Sequence, residues 1–171
     1  EYSSARDDPA WDRLRLTFDD GGTLRVNDPR RWARFVPDPS IERLGPDFLD
    51  VSVDHLIGRL GRRRSAVKTA LLDQSVVAGY GNMSVDEVLW QTGIAPTAPA
   101  RDLSEPAVHH LVESARPHLL AMLELGGSHR GTIDPEVRAA VPPCPRDGGP
   151  LRRDRVGGRT TICCPGHQRV V

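Results

Sequence analysis

Four residues near the C-terminal end of the chain have the side chains and the spacing to hold a metal ion. Two residues separate Cys144 from Asp147, two separate Cys164 from His167, and sixteen lie between the pairs. Thiolate, carboxylate and imidazole can all ligate zinc, and two short knuckles joined by a β-hairpin can place four such ligands tetrahedrally. Only two of the four positions carry cysteine, so the competing reading is a polar hairpin ending in a lone Cys-Pro-Gly-His turn. Cys163 offers a further thiol, but adjacent side chains seldom serve one knuckle together. His55, His109, His110, His118 and His129 have no ligand spacing to a cysteine and read as surface or cap residues.

The second kind of chemistry is electrostatic. The 171 residues carry 23 basic and 23 acidic side chains, yet these are segregated. Residues 55–75 and 142–171 are each net +4, and residues 1–54 and 76–141 are each net −4. A locally basic surface binds phosphate even when the total charge cancels, although solvated arginine faces give the same pattern. Three cysteines, two of them adjacent, make a poor disulfide framework, and a reducing, cytosolic setting is expected. No stretch approaches the roughly 18 apolar residues of a membrane span, and no signal peptide is visible.

These groups must be positioned by the elements around them. Residues 13–18, RLRLTF, alternate as a half-buried strand does; DDGG is a turn and TLRV a second strand. From residue 52 the apolar period becomes helical. Ser52 is expected to cap a helix through VDHLIGRL, and Ser65 a second through AVKTALLD. QSVVAGYGN is a glycine-bearing break. Ser84, with Glu87 three residues on, reads as a capping box opening a helix through Trp90 to Gly93. Ser104 caps a long helix that reaches Leu125 and stops at Gly126-Gly127, with Pro117 expected to bend or split it. Residues 127–143 read as a polar linker.

Four stretches in this order, DPRRW, LLDQSVVAGYGN, SVDEVLWQTGIAP and GGRTTICCPGHQ, resemble the C-terminal two thirds of the formamidopyrimidine-DNA glycosylase and endonuclease VIII family. The resemblance runs over roughly residues 13–168. It implies a mainly α fold with small β parts. Residues 1–40 would be a remnant of an N-terminal β-sandwich, 41–127 a helix–two-turn–helix DNA-binding domain, and 128–171 a linker and zinc-finger hairpin. It also implies one bound zinc ion, held by Cys144, Asp147, Cys164 and His167 in place of four cysteines. With a carboxylate and an imidazole replacing two thiolates, weaker and more acid-sensitive binding is expected.

The resemblance assigns roles residue by residue. Asn82 would donate its amide to a phosphate oxygen, and Gly79 and Gly81 would let backbone N–H groups approach the strand. Lys68 would add a point charge near the DNA backbone, with Arg62–Arg64 as further basic residues, and Arg159 would grip a phosphate from the fingertip. Arg30 would fill the void left by an extruded base. Trp32, where the family has phenylalanine, would wedge against the opposite base or simply pack. The implied partner is double-stranded DNA with a damaged base or an abasic site, bound by a monomer in the bacterial cytoplasm at the nucleoid.

The family's chemistry uses an N-terminal proline amine that attacks the sugar, followed by a glutamate. This chain begins Glu1-Tyr2-Ser3 and its first proline is Pro9, so no catalytic residue is expected within it. It reads as a C-terminal piece of a glycosylase/abasic-site lyase or a shortened relative. The alternatives are a non-catalytic lesion binder and a zinc-ribbon interaction module.

Overall fold

The computed structural model describes residues 8–170; the Glu1-Tyr2-Ser3 start lies outside them. The chain divides into two compact units between Ser40 and Ile41.

In the first unit, strands β1 (Asp12–Thr17) and β2 (Thr23–Asn27) pair antiparallel. Leu14 faces Val26 and Leu16 faces Leu24, so the alternation read from the sequence puts the apolar side chains on one face. Asp12 anchors the open end, accepting from Arg25 Nε at 2.8 Å, Arg25 Nη2 at 2.9 Å and Asn27 Nδ2 at 3.2 Å. The strands lead into a loop built on Asp28, whose Oδ1 accepts from the Arg30 N–H (3.0 Å) and whose Oδ2 accepts from the Ala33 N–H (2.6 Å).

The second unit opens with α1 (Val53–Leu60), α2 (Val67–Leu71), α3 (Asn82–Thr92) and α4 (Glu105–Glu124). Ser52 caps α1 and Ser104 caps α4, as the sequence predicts. Ser65 does not cap α2: Ala66 holds that position without a side-chain bond, and α2 is only five residues long. Ser84 does not open α3. The helix begins at Asn82 behind Gly81, and the Ser84 hydroxyl turns back to accept from the Gly81 N–H at 2.9 Å. Glu87 is not its capping partner; it is buried and accepts from the Ile133 N–H at 2.7 Å. Pro117 does not split α4, which runs unbroken from Glu105 to Glu124. Val108, Leu111, Val112, Ala115, Leu119 and Met122 of α4 recur at helical spacing and pack with Leu56, Leu60, Leu71, Val85 and Leu89 into one aliphatic core.

Residues 127–143 are more than a linker. They hold a 3-10 turn (Ser128–Arg130) and a short helix, α5 (Pro135–Ala140), capped by Asp134. Ile133 between them is 1% exposed. Strands β3 (Arg152–Val156) and β4 (Arg159–Cys163) follow as an antiparallel hairpin. Its two-residue turn, Gly157-Gly158, has φ of +57° and +75°, the conformation that suits the twist of a tight hairpin. The hairpin shares a second core with α3, made of Trp90, Ile133, Cys144, Leu151, Ile162 and Cys164. None of the helices among the described residues is long and apolar enough to cross a membrane.

Candidate nucleic-acid interface and metal centre

The helix break that carries Gly79, Gly81 and Asn82 ends at the N-terminus of α3, directly against β4. Asn82 Nδ2 donates to the Thr160 carbonyl at 2.9 Å, while its Oδ1 is buried without a hydrogen-bond partner among the described residues. Thr160 is the neighbour of Arg159, the exposed first residue of β4 after the Gly157-Gly158 turn. Asn82 and the fingertip arginine therefore lie at one junction, although 77 positions separate them in the sequence. The tip fits closely there: a Cβ on Gly157 would stand 2.5 Å from Thr69 Oγ1 of α2.

The Thr160 carbonyl accepts from two more donors, Lys68 Nζ at 2.9 Å and Arg138 Nη2 at 3.0 Å. A carbonyl oxygen has two lone pairs, so three donors exceed what it can accept well. Gly81 brings no side-chain acceptor to the first-turn N–H groups of α3, which carry the positive end of the helix dipole. The junction thus gathers amide, ammonium and guanidinium donors beside a helix N-terminus, a positive electrostatic setting, although the Asn82 Oδ1 acceptor there is itself unpaired among the described residues.

Three of the sequence expectations change in detail. Lys68 is not an exposed point charge. Its side chain is fully buried, and its ammonium donates to Asp86 Oδ1 (2.7 Å), Thr161 Oγ1 (2.8 Å) and Thr160 O. Burial lowers its pKa, against the Asp86 carboxylate, which raises it. The Gly79 N–H is taken by Gln74 Oε1 at 3.0 Å and the Gly81 N–H by Ser84, so neither amide is free. Gly79 is required for another reason: its φ is +93°, and a Cβ would sit 2.6 Å from the Phe48 ring. Within the Arg62–Arg64 run, Arg63 is tied to Asp73 at 2.8 Å rather than held out as a free charge.

Arg30 and Trp32 belong to the first unit. The Arg30 guanidinium stacks 4.6 Å from the Trp32 ring centroid, and Trp32 is 69% exposed, so it is not ordinary core packing. Hydrogen bonds from the Ala33 N–H and then the Arg30 N–H hold the Asp28 carboxyl below its usual pKa.

The four metal-ligand candidates converge, with their ligand atoms all within 4.8 Å of one another. Cys144 Sγ lies 3.7 Å from His167 Nδ1, Cys164 Sγ 3.2 Å from Asp147 Oδ2, and His167 Nδ1 3.6 Å from the same oxygen. The histidine is set up as a ligand. Its Nε2 is 3.0 Å from the Trp90 carbonyl, which can only accept, so the proton belongs on Nε2 and the Nδ1 lone pair faces the cluster. Asp147 is held down to about 2, first by the Gly149 N–H and then by the Cys164 thiol, so its carboxylate is ready to ligate. Gly166 gives it room; a Cβ there would be 2.2 Å from Asp147 Oδ2. The donor set, two sulfurs, one nitrogen and one oxygen at tetrahedral-edge separations, fits a four-coordinate divalent metal. Cys163 stands outside it.

Sequence reasoning missed Asp86, Arg138 and Thr160. Asp86 stands beside Glu87 in a Val-Asp-Glu-Val run, where nothing marks it off from a surface acid, and Arg138 and Thr160 left no signal.

The family model described as the formamidopyrimidine-DNA glycosylase H2TH domain matches residues 42–134. The formamidopyrimidine-DNA glycosylase of Neisseria meningitidis is 33% identical over 92% of this chain, and that of Rhizorhabdus wittichii 37% over 94%. The chain spans 66% and 67% of the length of those two relatives. Among solved structures, the MutM (Fpg) protein of Thermus thermophilus superposes with a TM-score of 0.77 at 31% identity, covering 95% of this chain and 70% of that one. The Lactococcus lactis enzyme, solved non-covalently bound to DNA containing an AP site, gives 0.66 at 32% identity, covering 74% of this chain and 51% of that one. With a family model matching more than half of its length and relatives 33% and 37% identical over nearly all of it, the chain belongs to the formamidopyrimidine-DNA glycosylase family.

Proposed function

We propose that this chain is the DNA-gripping part of a base-excision-repair glycosylase/abasic-site lyase and binds duplex DNA at a damaged base or an abasic site. The observation that carries the reading is the junction of Asn82 with Thr160-Arg159. Donors and a helix N-terminus converge there beside an exposed arginine, and a phosphate oxygen is the kind of acceptor they would meet. The Asn82 amide and the Arg159 guanidinium would hold one stretch of sugar–phosphate backbone from the helix side and the fingertip side. Arg30 and Trp32, stacked and exposed, are the side chains suited to enter the space of a displaced nucleotide. DNA-bound structures of the Lactococcus lactis relative support the same reading.

Cys144, Asp147, Cys164 and His167 would hold one zinc ion, which fixes the base of the finger and takes no part in bond breaking. The finger's core is completed by Trp90 of α3 and by Ile133, which favours a clamp over a free-standing interaction module.

The test is fluorescence anisotropy with two labelled duplexes, one with a tetrahydrofuran abasic analogue and one undamaged. The expected result is tighter binding to the analogue by at least about tenfold, weakening steeply with salt. Equal affinity for both, or none for either, overturns the reading.

A further inference from the structure

The Asp86 carboxylate is fully buried in α3, and it collects donors from three other elements. Lys68 of α2 reaches Oδ1 at 2.7 Å, Arg138 of α5 reaches Oδ2 at 2.6 Å, and the Ile162 N–H of β4 reaches Oδ2 at 3.2 Å. The two cations then turn their remaining donors on the same strand: Lys68 to Thr160 O and Thr161 Oγ1, Arg138 to Thr160 O. Every arm of this hub ends on Thr160, Thr161 or Ile162, the three residues directly after Arg159. The metal quartet lies at the other end of the hairpin. Cys144 and Asp147 precede β3, and Cys164 and His167 follow β4. A five-residue strand spans roughly 17 Å, so the quartet clips the base of the hairpin while the hub clips the strand behind its tip.

A buried ionic cluster of this kind adds little stability over a well-packed apolar replacement; what it supplies is fixed geometry. We propose that Asp86, rather than the metal, is the positioning residue that keeps Arg159 in register with Asn82. The fingertip then stays docked when the metal is gone. This inference rests on the clamp reading for its consequence on DNA, but not for its structural content.

The test is amide hydrogen exchange on the full chain, metal-loaded and stripped with a chelator, for wild type, Asp86→Asn and Arg138→Gln. Stripping wild type should speed exchange at the knuckles by about tenfold or more and change Thr160–Ile162 by no more than about threefold. Asp86→Asn, with metal bound, should speed Thr160–Ile162 by about tenfold or more. Arg138→Gln removes one arm and leaves the Lys68–Asp86 pair; it should give a smaller increase at the same amides, and it decides the matter should Asp86→Asn not fold. On the abasic duplex, Asp86→Asn should weaken binding about tenfold, and adding Arg159→Ala should then cost little more, because the two act as one unit. A purely structural role would make those losses additive. If chelation frees Thr160–Ile162 together with the knuckles, or if the hub variants leave those amides protected, the proposal is overturned. If wild type binds no duplex, the clamp reading falls while the exchange data still judge the hub.

Discussion

The side-chain amide of Asn82 donates to the main-chain carbonyl of Thr160 at 2.9 Å, joining the first turn of α3 to the strand that carries Arg159. On the proposed reading, the bond would let a helix N-terminus and a fingertip guanidinium meet one phosphate. Replacing either contact should therefore weaken DNA binding at the same place. Asn82→Ala and Arg159→Ala are each expected to reduce affinity for an abasic duplex by about tenfold to a hundredfold, the worth of a charge-assisted hydrogen bond. In anisotropy titrations across salt concentrations, Arg159→Ala should also lower the slope by about one, and Asn82→Ala should not.

Lys68 should behave differently from both. Its ammonium has no exposure and three internal acceptors, so it acts on the fold. Lys68→Met leaves Asp86 with only part of its compensation and should cost about 3 kcal/mol of stability, read from denaturant unfolding. The salt slope of DNA binding should stay that of wild type. A slope reduced by about one would mean that Lys68 meets a phosphate after all.

The hairpin turn separates two causes of strain. Gly157 and Gly158 both have positive φ, but only Gly157 would press a Cβ against Thr69, while Gly158 faces open space. Gly158→Ala should cost about 1 kcal/mol from backbone strain alone, and Gly157→Ala clearly more. Thr69→Ala in the Gly157→Ala background should recover much of the difference in a thermal melt.

The metal quartet makes a prediction that does not involve DNA. Cobalt substitution should give the absorption of a four-coordinate site with two thiolate ligands, and Cys164→Ser should reduce the sulfur-to-metal charge-transfer band by about half. Asp147→Cys, which adds a third thiolate, should hold the metal more tightly against a chelator than wild type does.

The Arg30–Trp32 loop should respond to acid through Asp28. A carboxyl whose pKa is lowered by folding contributes stability at pH values above its unfolded pKa, near 3.9, and loses that contribution as pH falls through the folded value. The Arg30–Trp32 stack should therefore persist from neutral pH down to about 4 and loosen only below it. NMR contacts between the Arg30 side chain and the Trp32 ring would follow this. Loss of the stack near pH 6 would show that Asp28 does not organise the loop.

Much of the architecture could be read along the chain because it is local. Alternation gave the β1–β2 pair, helical spacing gave α1 and α4 with their serine caps, and the paired knuckles picked out the ligand quartet. Each of these depends on residues a few positions apart, and backbone periodicity ties such neighbours to one face. The misreadings have a common source. Ser84 and Glu87 match a capping pattern, yet Gly81 precedes the helix and Glu87 is drawn to Ile133 on a later segment. Lys68 carries the charge of a surface residue, but its burial depends on Asp86, Thr160 and Thr161, up to 93 positions away. A sequence displays which groups can donate and accept. Only the folded chain, by excluding water from some of them and leaving others at the surface, decided that Lys68 and Asp86 are buried against the finger strand while Arg159 stays exposed at its tip.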